Sequence, residues 1–234
     1  MLASTQESAI SASPTTARPL QGGALVQKYG PVQPFANIGD DEDTLRLYFD
    51  ISALSLKKRK AFLRNVTPNQ KSALWRTHLS LFFLKQDLND WQKAVILSAM
   101  ALATPEYFGV RSTDPAWNAK VQEPTRLLEQ QIFDAFSKKD AAKIFATLGD
   151  DALAADNSAV LLKSINPLSN SGPYKQAILT RLVAQDMELE RSSCECATNS
   201  DYCGIWSACR GGSCGSTPDG CGTFWTYPCN GACR

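Results

Sequence analysis

The sequence predicts an all-α N-terminal helix bundle followed by a small disulfide-rich C-terminal module with little regular structure beyond a short β-hairpin. Three observations predict it. Capped stripes of apolar residues at helical spacing recur from about residue 43 to residue 191. All eight cysteines of the 234-residue chain lie between Cys194 and Cys233. Charge also changes abruptly: residues 192–234 hold only Glu195, Asp201, Arg210, Asp219 and Arg234, whereas the first 191 residues hold 42 charged side chains. These shifts divide the chain into a flexible arm (1–40), a helical domain (41–191) and a cysteine-rich module (192–234).

In the arm, Pro14, Pro19, Pro31, Pro34 and several glycines interrupt any period. Met1 to Gly23 is rich in Ser, Thr, Ala and Gln without an apolar stretch, so it does not read as a secretory signal peptide. Either an export signal has been removed and replaced by Met1, which is the favoured expectation, or export is unconventional. Asp40 to Asp43 reads as an acidic start to the first helix, favoured there by the helix dipole, rather than as a cation site.

Ser55 is placed to cap a helix running through Leu63. Thr67-Pro68-Asn69-Gln70 combines an N-cap, a proline at the first helical position and a capping-box Gln. Trp75, Leu79, Phe82 and Phe83 then form one face, and Trp91, Val95, Ala99 and Leu102 a second. Thr104-Pro105 and Asp114-Pro115 repeat the cap-then-proline pattern and are expected to start short helices. Leu128, Ile132 and Phe136 make another stripe. Ser137 with Asp140 opens a helix that is expected to stop at Gly149, and Tyr174, Ile178 and Leu182 form the last stripe. Six or seven helices are expected.

This helical region offers little chemistry. The single histidine, His78, follows Trp75 by one turn on the apolar face and reads as structural. No cysteine nucleophile, second histidine for a zinc motif or glycine-rich phosphate loop is present. Lys57-Lys58-Arg59-Lys60 reads as a solvated helix face rather than a processing or nuclear signal. Asn65-Val66-Thr67 matches a glycosylation sequon, but Thr67 is better used as a cap. No catalytic residue, metal or cofactor is therefore expected, and a hydrolase with a tail anchor lacks a recognisable nucleophile–base pair. A net charge of +1 gives no general attraction for nucleic acid. No stretch approaches the ~18 apolar residues of a membrane helix.

Residues 192–234 are too few to bury a sufficient core, so disulfides are expected to supply about 2–4 kcal/mol each. Cys194, Cys196, Cys203, Cys209, Cys214, Cys221, Cys229 and Cys233 fit four bridges, and the spacing contains no Cys-x2-Cys of the kind zinc prefers. Cys194 and Cys196 are too close to pair comfortably, so each is expected to reach a different later cysteine. Such bridges persist in oxidising compartments, which implies a secreted or extracytoplasmic protein. Gly211-Gly212, Pro218-Asp219-Gly220 and Asn230-Gly231 read as turns, and Gly222 to Tyr227 as a short strand. Tyr202, Trp206, Phe224, Trp225 and Tyr227 are expected to present an aromatic contact surface, because so small a module cannot hide all five.

The motifs Cys194-Glu-Cys196, Ser200-Asp201-Tyr202-Cys203 and Cys209 resemble the start of the fulvocin C-like bacteriocins, a myxobacterial family. Thr217-Pro218, Gly220-Cys221-Gly222-Thr223, Trp225, Tyr227 and Cys229-Asn230-Gly231 continue the resemblance, which spans about residues 192–231. Two departures stand out. The loop before Cys214 is one residue shorter, and Tyr227 stands where the family has a cysteine, while Cys233 is additional. The resemblance implies a disulfide-bonded peptide that kills related bacteria through the target-cell envelope or membrane, following a helical propeptide. Arg191-Ser192 is then the expected cleavage point for a processing protease. The helical domain is expected to mask the tail or template its bridges. The competing reading is a secreted, disulfide-stapled binding module for a carbohydrate or protein ligand, also non-enzymatic.

Overall fold

The computed structural model describes residues 42–149, 194–204, 206–212 and 214–234. The expectations for the arm, for Tyr174, Ile178 and Leu182, and for Arg191 and Ser192 lie outside the described residues.

Seven α-helices are present among the described residues: α1 (Glu42–Ser52), α2 (Leu56–Asn65), α3 (Pro68–Lys85), α4 (Asp90–Leu102), α5 (Pro105–Gly109), α6 (Glu123–Ala135) and α7 (Lys138–Phe145). Their starts follow local chemistry. Thr67 and Gln70 form a reciprocal capping box at α3, and Asn89 and Gln92 form another at α4. Thr104 and Ser137 accept from the third backbone N–H of α5 and α7. Ser55 precedes α2 but makes no side-chain cap.

Asp114-Pro115 differs from its expected role. Asp114 accepts from the Ala116 N–H in a turn, and the chain then enters a π-helical segment, Asn118–Gln122, that runs into α6. Helix α7 ends at Phe145, before Gly149. Gly149 does adopt a left-handed φ of +80°, but its function is packing, since a Cβ there would lie 2.6 Å from Ser52 Oγ.

The core is shared by all these helices. Tyr48, Phe62, Leu74, Trp75, Leu79, Ile96, Met100, Leu128, Ile132 and Phe145 are buried within it. His78 is fully buried at its centre. Its Nδ1 accepts from the Gly149 N–H and lies 2.8 Å from Tyr48 Oη, so the ring proton sits on Nε2 and points to the Lys143 carbonyl. The histidine is thus a structural tie between α1, α3 and α7.

The basic run at 57–60 is not a uniformly solvated face. Arg59 is buried and donates to the carbonyls of Ser52 and Leu54, left open where α1 ends, and to those of Leu148 and Gly149 beyond α7. Among the described residues no helix is long and apolar enough to cross a membrane.

The cysteine-rich region has four short strands in two antiparallel pairs: β1 (Cys209–Gly211) with β4 (Gly231–Cys233), and β2 (Thr217–Cys221) with β3 (Tyr227–Cys229). Pro218-Asp219-Gly220 lies within β2 as an irregularity in register, not as a separate turn. The bridges are Cys194–Cys214, Cys196–Cys209, Cys203–Cys233 and Cys221–Cys229. Cys194 and Cys196 reach different partners, as their spacing requires, and no described cysteine is free.

The expected strand at Gly222 to Tyr227 is a 3-10 turn over Thr223–Trp225, with only Tyr227 joining β3. Gly222, Phe224 and Trp225 all have left-handed φ, at +68°, +54° and +55°. A Cβ on Gly222 would fall 2.4 Å from Ser200 Oγ, so its glycine is required by both conformation and space. Gly222→Ala is expected to cost at least about 1 kcal/mol and to lower the yield of correctly bridged protein, measured by denaturation and by peptide mapping of the disulfides.

Candidate functional site

The candidate site is the seam where the cysteine-rich region meets the helices. The left-handed turn after Gly222 drives two adjacent aromatic side chains into the helical core. Phe224 and Trp225 retain 1% and 4% of their exposure and belong to the same buried cluster as the helices. Trp75 of α3 receives both, with ring centroids 5.2 Å from Phe224 and 5.7 Å from Trp225. Trp225 Nε1 donates to the Ala146 carbonyl at 2.7 Å, which satisfies its polar edge just beyond α7. Tyr107 of α5 packs edge-on to Phe224, and its hydroxyl lies 3.1 Å from Thr226 Oγ1.

Polar groups close the seam around this plug. Glu129 of α6 is buried, and its Oε1 accepts from Ser200 Oγ and from Thr223 Oγ1. Ser200 Oγ in turn accepts from the Thr223 N–H, and Thr223 Oγ1 lies 2.8 Å from Tyr202 Oη. Burial pushes the Glu129 carboxyl up, against the opposing effect of its two hydroxyl donors. The phenols of Tyr202 and Tyr227 are pushed up chiefly by burial and secondarily by the Glu129 charge, so both remain hydrogen-bonding groups.

On the opposite side, Arg64 of α2 donates to Thr217 Oγ1 and to the Asp219 carbonyl, while Ser112 donates to the Pro218 carbonyl. Lys60 of α2 lies 5.7 Å from the Trp225 ring centre and 3.7 Å from Cys221 Sγ. Burial, reinforced by Arg64, lowers its pKa to about 8, against the opposing pull of Glu195.

The five aromatic residues expected as one exposed surface are therefore divided in the full chain. Trp206 is 97% exposed. Tyr202 is half-buried against Phe133 of α6. Tyr227, at 1% exposure, packs edge-on to Trp117. The expectation of exposure failed for Phe224 and Trp225 because the helices supply a core that an isolated module lacks, and for Tyr227 because Cys194, Ala197, Cys221 and Cys229 bury it in a small cluster closed by Trp117. Trp75 and Glu129 were not singled out as site residues from sequence; Trp75 read only as part of a helical stripe, and a lone carboxylate in α6 carried no local signal.

Cys196, Cys203 and Cys209 have sulfurs within 4.8 Å of one another, a grouping that would suit a metal as free thiolates. All three are consumed by bridges, which leaves no thiolate for coordination.

Fold and site together define a helical protein that carries a disulfide-stapled, cysteine-rich segment docked through aromatic side chains. Bacteriocin fulvocin-C of Myxococcus fulvus is 52% identical to the chain over 42 residues, covering 17% of this chain and 93% of that protein. Through that segment the chain belongs to the fulvocin C family. No family model matches the chain, and no solved structure matches it. In the structure, Cys233 pairs with Cys203, and Tyr227 fills its position by packing on Trp117.

Two titrations should report on the seam. The Glu129 pKa is raised on folding, so its contribution is fully present below the unfolded value of 4.5 and is lost as pH rises through the folded value. Glu129→Gln keeps an acceptor for Ser200 and Thr223 and should remove that loss; urea unfolding at pH 4 and pH 7 measures the difference. Lys60 behaves oppositely: its depressed pKa means stability present above 10.5 is lost as pH falls through about 8. Lys60→Met should therefore flatten the stability change between pH 10 and pH 7, read from guanidinium midpoints.

Proposed function

We propose that the chain is the precursor of a secreted, non-enzymatic antibacterial peptide in which residues 192–234 act on the envelope of competing bacteria. Residues 41–191 serve as its leader and mask. The antibacterial part of this reading is supported by the likeness to Bacteriocin fulvocin-C. The masking part rests on one observation: Phe224 and Trp225 are inserted against Trp75 in the helical core. The same aromatic side chains that suit contact with an envelope are unavailable while the helices hold them.

The left-handed backbone at Phe224 and Trp225 is costly for bulky residues, and burial of the two rings offsets it. A processing protease cutting at Arg191-Ser192 separates the two parts covalently. The buried aromatic contact then still holds them together, so activity follows from dissociation rather than from cleavage alone. On release the turn relaxes and Phe224 and Trp225 join Trp206 on the peptide surface.

The decisive experiment is a killing assay across a bacterial panel with oxidised residues 192–234, the intact chain and the reduced peptide. The oxidised peptide should kill, the intact chain should be at least tenfold weaker, and reduction should abolish activity because so small a core does not survive without its bridges. Equal potency of intact chain and peptide would remove the masking role. Absence of killing by every form would leave a secreted binding module for a carbohydrate or protein ligand, to which the exposed Trp206 is suited.

A further inference from the structure

A cavity of about 500 Å³ opens on the seam between the helices and β2, bounded by α2, the start of α3, the segment after α5 and the turn that carries Phe224 and Trp225. Its size is that of a small-molecule site. Its lining is chemically two-sided. Val66, Pro68, Val110 and Pro218 provide an accessible apolar wall beside the nearly buried Leu63, Phe108, Phe224 and Trp225. Lys60, Arg64, Lys71 and Arg111 provide four cationic groups, and Asp219 is the one carboxylate among the described lining residues.

The cations are only partly compensated. Arg64 is paired, its Nε lying 3.3 Å from Asp219 Oδ1 and its Nη2 donating to Thr217 Oγ1 and the Asp219 carbonyl. Lys71 and Arg111 have no carboxylate within salt-bridge distance among the described residues, and Lys60 faces a sulfur and an indole ring. Burial and the neighbouring positive charges of Arg64 and Arg111 lower the Lys71 pKa, and Asp219 opposes this. Gathering four positive charges around a partly desolvated cavity is unfavourable unless an anion occupies it. Guanidinium groups suit an oxyanion that accepts several hydrogen bonds, and the adjoining apolar wall suits an apolar body.

We propose that this cavity binds a small anionic amphiphile, with a phosphate head held by Lys60, Arg64, Lys71 and Arg111 and an apolar portion laid against Val66, Pro68, Val110 and Pro218. Because the wall comes from both the helices and the cysteine-rich region, the ligand contacts both and is coupled to their association. This site is independent of the antibacterial reading, since it concerns only the intact chain and its measurable affinity.

Calorimetric titration of the intact, oxidised chain with octyl phosphate, inorganic phosphate and octyl glucoside, each below any micelle-forming concentration, tests it. Octyl phosphate should bind at least tenfold more tightly than inorganic phosphate, and octyl glucoside should not bind. Arg111→Gln, at an exposed position, should weaken octyl phosphate at least threefold, and Lys71→Gln with Arg111→Gln at least tenfold, with unchanged circular dichroism. A preference for inorganic phosphate equal to that for octyl phosphate would overturn the apolar half of the assignment. Binding of octyl glucoside as tight as octyl phosphate, undiminished binding by the Arg111→Gln chain, or no binding of any probe would overturn the site.

Discussion

Trp75 sits where the two chemistries of this chain meet. From the helical side it belongs to a core built by α1 to α7; from the other side it receives Phe224 and Trp225. Full burial of such side chains contributes about 1.5–3 kcal/mol each and demands close complementarity. The left-handed turn, the glycine that precedes it and the hydrogen bond from Trp225 to Ala146 all serve this insertion.

The disulfides and the helical core perform different tasks. Four bridges hold the cysteine-rich chain in a shape that its two short strand pairs could not maintain alone. Cys194, Cys221 and Cys229 form a small buried cluster with Ala197 and Tyr227, but this is not the main hydrophobic interior. The helices provide it, and the polar ring around the insertion satisfies the groups that docking removes from water. Glu129 is the clearest case, because one carboxylate oxygen accepts from both Ser200 and Thr223. Removing that acceptor without replacing it leaves two hydroxyls to find new partners.

The seam also carries a functional tension. Phe224, Trp225 and Tyr227 lie inside, while Trp206 stands outside and four cations, with Asp219 paired to Arg64 among them, line the cavity beside the insertion. The proposed masking requires such an arrangement: strong enough to keep aromatic surface from solvent, yet divisible at a boundary that no disulfide crosses. All four disulfides link cysteine-rich residues to one another, so none ties that region to the helices.

Much of the local structure was legible in sequence because its causes are local. Thr67 and Gln70 mark a helix start through hydrogen bonds within four residues, and Leu128 and Ile132 share a face through the helical repeat, with Phe136 buried at the extended residue that ends the helix. The clustering of eight cysteines announced a stapled segment, and its motifs announced the fulvocin C resemblance. Tertiary structure alone decided what those elements touch. Phe224 and Trp225 read as solvent-facing residues of a strand until the helices offered a core that made a left-handed turn favourable. Arg59 read as one of four solvated cations until the end of α1 presented it with carbonyls. Glu129 carried no signal until Ser200 and Thr223, 71 and 94 residues away along the chain, brought it two donors. Periodicity and capping depend on near neighbours and can be read from the sequence; burial and hydrogen-bond partnership across the seam depend on distant ones and could not.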